Sequence, residues 1–289
     1  MFVVAIGMQI EICNGSVCMK ICVLGLGEVG FATAKYVFDK GLDVWGYDVD
    51  LAAVERAKKA GIVRATHVWA DVPSVDVYLT CVSTGLKRDV PDLSPVFDVC
   101  EKIKGKTGLS AYPLISIEST VMPGLCQRVF RDIFERHARL VHVPHRYWAE
   151  QPVKHGVKQL RIIGGVDAES LKAGLEFYRD VLGIPLHVVS SVEVAEMSKI
   201  AENAYRYVQI AFAEELRMVC GEIGLSFDKV REACNTKWNI EILEARDGII
   251  GRCLPKDIRY LASLTSFNTL MKNALALDKQ YREWLRRKG

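Results

Sequence analysis

The sequence lacks any run approaching the ~18 consecutive apolar residues that a membrane-crossing helix needs, although half of its residues are hydrophobic. Its opening, MFVVAIGMQIEICNGSVC, is apolar but has neither the basic start nor the small-residue cleavage site of a secretory signal. Residues 1–18 read as a mis-set start or as a short additional β-segment, an extension without chemistry of its own. Charge of one sign is also scarce: 38 Lys and Arg stand against 35 Asp and Glu, for a net +3 spread along the chain. A nucleic-acid binder would show a basic stripe, and the terminal RRKG is no more than a solvated tip. Nine cysteines are an odd number and are scattered, which argues against a secreted disulfide framework. Cys13, Cys18 and Cys22 lie close together, but no second cluster closes a four-ligand zinc site. The expectation is a cytoplasmic protein with reduced thiols, no metal and neither membrane nor nucleic acid as partner.

What the sequence does contain begins at KICVLGLGEVGFATAKYVFDKGLDVWGYDVD (20–50). An apolar run enters Gly25, Gly27 and Gly30 at G-x-G-x-x-G spacing, a helical stretch follows, and a second apolar run ends at Asp48. Gly25 permits the tight turn, Gly27 lets the backbone approach a pyrophosphate, and Gly30 lets helix and strand pack closely. The amides of Glu28 and Val29 would donate to phosphate oxygens at the helix start. Asp48 stands where a carboxylate bonds both ribose hydroxyls and repels a 2′-phosphate, so the cofactor reads as NAD rather than NADP.

Strand-like runs recur at 75–82, 113–120, 140–144, 159–165 and 185–190, with helical stretches at 92–104, 122–137 and 167–182. This alternation predicts an α/β fold, a Rossmann-type doubly wound and mostly parallel sheet over residues 19–190. Ligands bind beyond the carboxyl ends of such strands. Val82, Ser83 and Thr84 at one strand end, and Ser119 and Thr120 at another, are candidate contacts to the nicotinamide side, although serine and threonine there are also plain turn formers. From residue 191 to 289 the pattern turns all-helical. Residues 191–221 contain no proline and no glycine before Gly221, which predicts one helix of about eight turns. Val194, Met197, Ala201, Ala204, Val208, Ala211 and Phe212 form its apolar stripe, and Glu196, Lys199 and Asn203 share a polar side. Such a helix suits subunit packing.

With both parts in view, the chain resembles the UDP-glucose/GDP-mannose dehydrogenase family of nucleotide-sugar dehydrogenases. GLGEVG resembles the family's dinucleotide loop, CVST (81–84) its V-P-T strand end, and ESTVMPG (118–124) its S-T-V-x-P-G turn. EMSKIAENAYRYVQIAFAEEL (196–216) resembles the helix carrying its catalytic Lys and Asn, here Lys199 and Asn203. KWNI (237–240) and GIIGRCLPKD (248–257) resemble the segment carrying its nucleophilic Cys and its Asp, here Cys253 and Asp257. The resemblance implies oxidation of a sugar primary alcohol to the acid. An aldehyde yields a second hydride only after a nucleophile adds to it, and a thiolate at Cys253 would do so, leaving a thioester for water. Lys199 and Asn203 would stabilise oxygen charge, Asp257 would orient or deprotonate the water, and dimerisation would use the long helix.

The chain also departs from the family pattern. Its G-x-G-G-H-C loop reads GIIGRC here, placing β-branched Ile250 at a glycine position and implying a different loop path. The family's P-E-R reads PHR, so His145 replaces a glutamate. Asp257 lies 32 residues from the end of the 289-residue sequence, too few for the family's second nucleotide-binding domain. The nucleotide of a nucleotide sugar would then be held by a partner subunit or a separate chain. Two other readings stay open: a single-oxidation 3-hydroxyacid-type dehydrogenase needing no cysteine, and a non-catalytic NAD-binding protein.

Overall fold

Ile21, Cys22, Val23 and Leu24 are completely buried, and this strand lies inside the molecule's main sheet. The computed structural model describes residues 11–13, 16–107 and 112–288, with the side chains of 11–18 left out. We number the main-sheet strands β1 (Lys20–Leu24), β2 (Asp43–Tyr47), β3 (Ala65–Thr66), β4 (Val77–Thr80), β5 (Leu114–Ile117), β6 (Arg139–His142), β7 (Arg161–Gly165) and β8 (Leu186–Val188). Their spatial order is β8-β7-β6-β5-β4-β1-β2-β3. All pairs are parallel except β6 with β7, where Val141 faces Gly165. The order reverses beside β1, which is the switch point at which such sheets bind ligands.

Alternation along each strand feeds two cores. Ile21, Val23, Val77, Leu79 and Val141 face one cluster, filled by Ala34 and Val37 of α1 (Glu28–Asp39) and Ala53, Val54 and Ala57 of α2 (Leu51–Lys59). Cys22, Leu24, Tyr78, Ile115 and Leu140 face the other. There α3 (Ser94–Thr107) brings Val96, Val99 and Ile103, and α4 (Leu125–Asp132) brings Cys126, Val129 and Phe130. Burial on both faces is why these strands read as continuous apolar runs. Helix α5 (Ala168–Leu175) continues into a single π turn, Glu176–Val181, that buries the adjacent Phe177 and Tyr178. Outside the sheet, Glu11–Cys13 pairs antiparallel with Ser16–Cys18. Residues 1–10 of the expected extension, with 14 and 15, lie outside the described residues, as do the side chains of Cys13 and Cys18. The seven cysteines whose side chains are described are unpaired.

The chain divides into two compact units, residues 1–84 with 92–197 and residues 85–91 with 198–289. Helix α6 (Val192–Glu222) runs for 31 residues and belongs to both. In the second unit it is joined by α7 (Phe227–Cys234), α8 (Cys253–Ser263) and α9 (Thr269–Lys288). The buried side of α6 there runs through Ala204, Tyr207 and Ala211, against Ile258 of α8 and Ala274 of α9. Gly221 lies inside the helix, where a Cβ would come within 2.8 Å of the Trp284 ring. The apolar stripe read from the sequence therefore needs correction. Ala204 and Ala211 are buried, but Val194, Met197 and Phe212 are 41%, 37% and 55% exposed. The buried side is a different one, and it takes in Ile200 and Tyr207, which are 0% and 1% exposed, together with the alanines. Among the described residues no helix is long and apolar enough to cross a membrane.

Candidate active site

The glycine loop closes the switch point. Gly25 has φ +90° and a Cβ there would sit 2.6 Å from the Cys81 carbonyl oxygen. At Gly30 a Cβ would lie 1.8 Å from the Gly25 carbonyl oxygen, so strand and helix could not approach as they do. At Gly27 a Cβ would meet nothing within 4 Å, which leaves open space in front of the loop. Gly27 caps α1 without a side-chain hydrogen bond, and Glu28 and Val29 form the first turn. Helix-start amides with no internal acceptor suit an anion. Asp48 ends β2, with one carboxylate oxygen accepting from the Leu26 amide at 2.5 Å and the other from the Asp50 amide at 2.9 Å. Each oxygen retains a lone pair for a ribose hydroxyl. The residues present therefore fit a dinucleotide.

Of the strand-end hydroxyls, Thr84 donates to the Thr120 carbonyl at 2.8 Å. Ser119 is 7% exposed, and its hydroxyl is engaged by the carbonyls of Val82 at 2.7 Å and Thr80 at 3.2 Å. These side chains tie the ends of β4 and β5 together. Ser83 is exposed and Val82 partly so.

The second unit gathers the other candidates. Lys199 and Asn203 lie one turn apart on α6, and Cys253 and Asp257 one turn apart on α8. Asn203 donates its amide to Asp257 at 2.5 Å, and the Lys256 ammonium lies 2.6 Å from the other Asp257 oxygen. Asp257 is buried, whereas Cys253, the first residue of α8, is exposed. Burial pushes the Lys199 ammonium below the ordinary lysine value, with Asp257, Glu202 and Cys253 acting in the opposite direction. In the loop before Cys253, positive φ falls on Gly248 (+97°) and Gly251 (+94°) but not on Ile250, which is 76% exposed. The left-handed turns of this loop fall on the two retained glycines, so Ile250 needs no glycine-only conformation.

Sequence reasoning missed two features of the first unit. Glu196, grouped with Lys199 by spacing, instead caps α4: its buried carboxylate accepts from the amides of Gly124 at 2.6 Å and Cys126 at 2.8 Å. His145 is 7% exposed, and its Nε2 is shared by the Thr33 hydroxyl at 2.9 Å and by Glu118. Glu118 also accepts from Tyr178 and lies 3.3 Å from Arg161, which is itself completely buried. Burial works to raise the Glu118 carboxyl, but Arg161 and His145 outweigh it and hold it well below the usual range. The Cys81 sulfur, 3.3 Å from Glu118, completes a set of metal-capable atoms with Glu118 and His145. The positive charge beside that carboxylate is already Arg161. Here His145 is a structural strut that fastens α1 to β5.

Residues 55–182 match the NAD binding domain of the UDP-glucose/GDP-mannose dehydrogenase family, and residues 193–278 match that family's central domain. A UDP-N-acetyl-D-mannosamine dehydrogenase of Methanococcus vannielii is 28% identical over 282 residues, covering 90% of this chain and 65% of that protein. The structure of UDP-D-ManNAc dehydrogenase from Pyrococcus horikoshii superposes with TM-score 0.82 at 27% identity, covering 91% of this chain and 69% of the other. A 3-hydroxyisobutyrate dehydrogenase of Mycobacterium tuberculosis shares the fold, with TM-score 0.69 at 16% identity over 91% of this chain and 94% of that one. The chain thus spans slightly under two thirds of the curated mannosamine dehydrogenases it matches. Its nucleotide domain and its helical domain match two parts of one family, and the chain belongs to the UDP-glucose/GDP-mannose dehydrogenase family.

Proposed function

We propose that this chain carries the oxidation chemistry of a nucleotide-sugar 6-dehydrogenase, taking a sugar primary alcohol to the carboxylic acid through a covalent cysteine adduct. The observation that carries the reading is the grouping of Lys199, Asn203 and Asp257 at the helix that begins with exposed Cys253. NAD would be held by Gly25, Gly27, Gly30, the amides of Glu28 and Val29, and Asp48, with Val82, Ser83, Thr84, Ser119 and Thr120 as the strand-end contacts. When bound it supplies the oxidant, one molecule for each of the two oxidations.

The chain's own residues do the rest. Lys199 stabilises negative charge on the substrate oxygen as the alcohol is oxidised, and the N–H of Asn203 not engaged by Asp257 can share that oxygen. The Cys253 sulfur then adds to the aldehyde carbon, forming a thiohemiacetal whose oxygen meets the same donors. Position at the start of α8 favours the developing anion at this sulfur through the helix dipole. Once the thiohemiacetal is oxidised to the thioester, Asp257 orients and deprotonates the attacking water, and the acid leaves with the thiol restored. His145, engaged by Glu118 and Thr33, takes no part in that hydrolysis.

The substrate class is a nucleotide sugar, as with the similar mannosamine dehydrogenase, and its nucleotide can be gripped by a partner subunit or a separate chain. The functional unit is a homodimer in the cytoplasm, built on α6, where Tyr205, Phe212 and Val219 stand seven residues apart and are 67%, 55% and 47% exposed. That spacing keeps one stripe of a helix in register with a second helix.

Counting NADH tests the reaction. On a panel of UDP- and GDP-sugars the wild type should release two NADH per substrate, and Cys253→Ser should release one before stalling. Cys253→Ala with full two-step turnover would refute the covalent route and leave the single-oxidation reading.

A further inference from the structure

The second unit carries a concave feature that the reaction does not use. A cleft of about 310 Å³ brings together Arg259 of α8 and Lys279, Arg282 and Arg286 of α9, with Asp278 and an apolar edge at Pro255. A further cavity of about 540 Å³ shares Arg282 and Arg286. Positive charge dominates the cleft's lining, whose one carboxylate is already engaged, and the further cavity adds Asp247. Asp278 is 1% exposed, accepts the Ile249 amide at 2.7 Å and forms an ion pair with Arg282. Glu283, one turn from Lys279, is not part of the lining.

Arg282 is built into place. Asp278 grips its guanidinium one turn away, and its stem runs beside Gly248, where a Cβ would lie 2.6 Å from Arg282 Cγ. A guanidinium fixed by a buried carboxylate, with donors left over, pays little ordering entropy when it takes an anion. Arg259 is fixed too, donating to the Pro255 carbonyl at 2.5 Å. Its other neighbour, Asp89 at 3.6 Å, is 88% exposed and so weakly held. Lys279, Arg282 and Arg286 recur at i, i+3 and i+7, the spacing that keeps three side chains on one face of α9.

This face is not the reacting one. On α8, Pro255 is two residues from both Cys253 and Asp257 and Arg259 is two from Asp257, about 200° around the helix axis, and Arg259 is about 240° from Cys253. We propose that the cleft is a separate binding site for a compact polyanion with a phosphate chain, either an inorganic polyphosphate or the diphosphate of a nucleotide. Concavity and a pre-set arginine favour a small ligand over a broad acidic protein surface, and a volume near 300 Å³ suits one.

Calorimetric titration of the full chain with pyrophosphate, and separately with UDP, tests this without requiring turnover. One pyrophosphate-binding event should weaken at least tenfold in the Lys279→Gln/Arg286→Gln double variant. It should change less than twofold in Arg287→Gln/Lys288→Gln, which removes the same charge from the same helix outside the cleft. UDP tighter than pyrophosphate at the event lost in the first variant would identify a nucleotide; equal affinities would identify the phosphate chain alone. Equal weakening in both double variants would mean diffuse attraction and overturn the site. So would the absence of pyrophosphate binding at millimolar concentration, or capture of polyglutamate in its place.

Discussion

Replacing Glu214 by glutamine should remove a pH dependence of stability built into the helical unit. Glu214 lies on α6 with no solvent exposure, and neither carboxylate oxygen has a hydrogen-bond partner. Burial, and then the nearby Asp278, raise its pKa from an ordinary 4.5 to about 8, against an opposing pull from Arg282. Below pH 4.5 the folded and unfolded states are both protonated and the fold has its full stability. Between 4.5 and 8 the folded state keeps a proton that the unfolded chain has released, so stability falls as pH rises. Above 8 both states are ionised and the loss is complete. At 1.36 kcal/mol per pH unit, the loss is at most on the order of 4–5 kcal/mol. Glutamine has the same shape and no charge to bury. Urea unfolding of both proteins at pH 5, 7 and 9, at one fixed protein concentration, reads the difference directly. Histidine titrations are common to both proteins and cancel. Glu214→Gln should gain on the wild type by about 2.5 kcal/mol between pH 5 and 7 and by about 1.4 kcal/mol more between pH 7 and 9. Unfolding free energies that run parallel across this range would refute the reasoning.

The glycine loop offers a paired test: Gly30→Ala forces a Cβ into the Gly25 carbonyl, so it should lower the melting temperature and abolish NAD binding. Gly27→Ala meets no protein atom, so it should melt like the wild type while losing NAD affinity in a fluorescence titration. Asp48→Ala should weaken NAD at least tenfold, and equal wild-type affinity for NADP would contradict the role given to its carboxylate. Light scattering at micromolar concentration should return a dimer mass that falls to the monomer in Phe212→Glu; a monomeric wild type would remove α6 as an interface.

The parts of this molecule that follow local rules were legible in its sequence. Gly25 and Gly30 do what their spacing implies, because turn geometry and close packing are decided within a few residues. The inner strands were found as apolar runs because they are buried on both faces, whereas the two-residue β3 was too short to register. Lys199 with Asn203 was visible as a one-turn pair on a helix, whereas Cys253 and Asp257 were visible only through the resemblance of their segment, and that α8 puts them one turn apart came from the structure. What escaped depends on contacts between distant segments. Nothing near Glu196 announces that it caps a helix 70 residues earlier. His145 was read only as the replacement for a glutamate because Thr33 and Glu118, which engage it, and Arg161, which pairs with Glu118, come from three separate elements. The outer apolar residues of α6 were read into one stripe with the buried ones because periodicity locates a stripe without showing which side the neighbours occupy.

The two outermost strands of the main sheet are also its shortest: β3 has two residues and β8 has three. An edge strand exposes unpaired amides and carbonyls to any passing chain, and long flat edges invite uncontrolled growth of the sheet. Edges this short give an incoming strand almost no ladder to extend. Self-association of this protein is thereby directed away from backbone pairing, which is indifferent to sequence, toward side-chain contacts that only a matching surface can satisfy. A mutation that lengthened β3 or β8 would put solubility at risk while leaving every catalytic group in place.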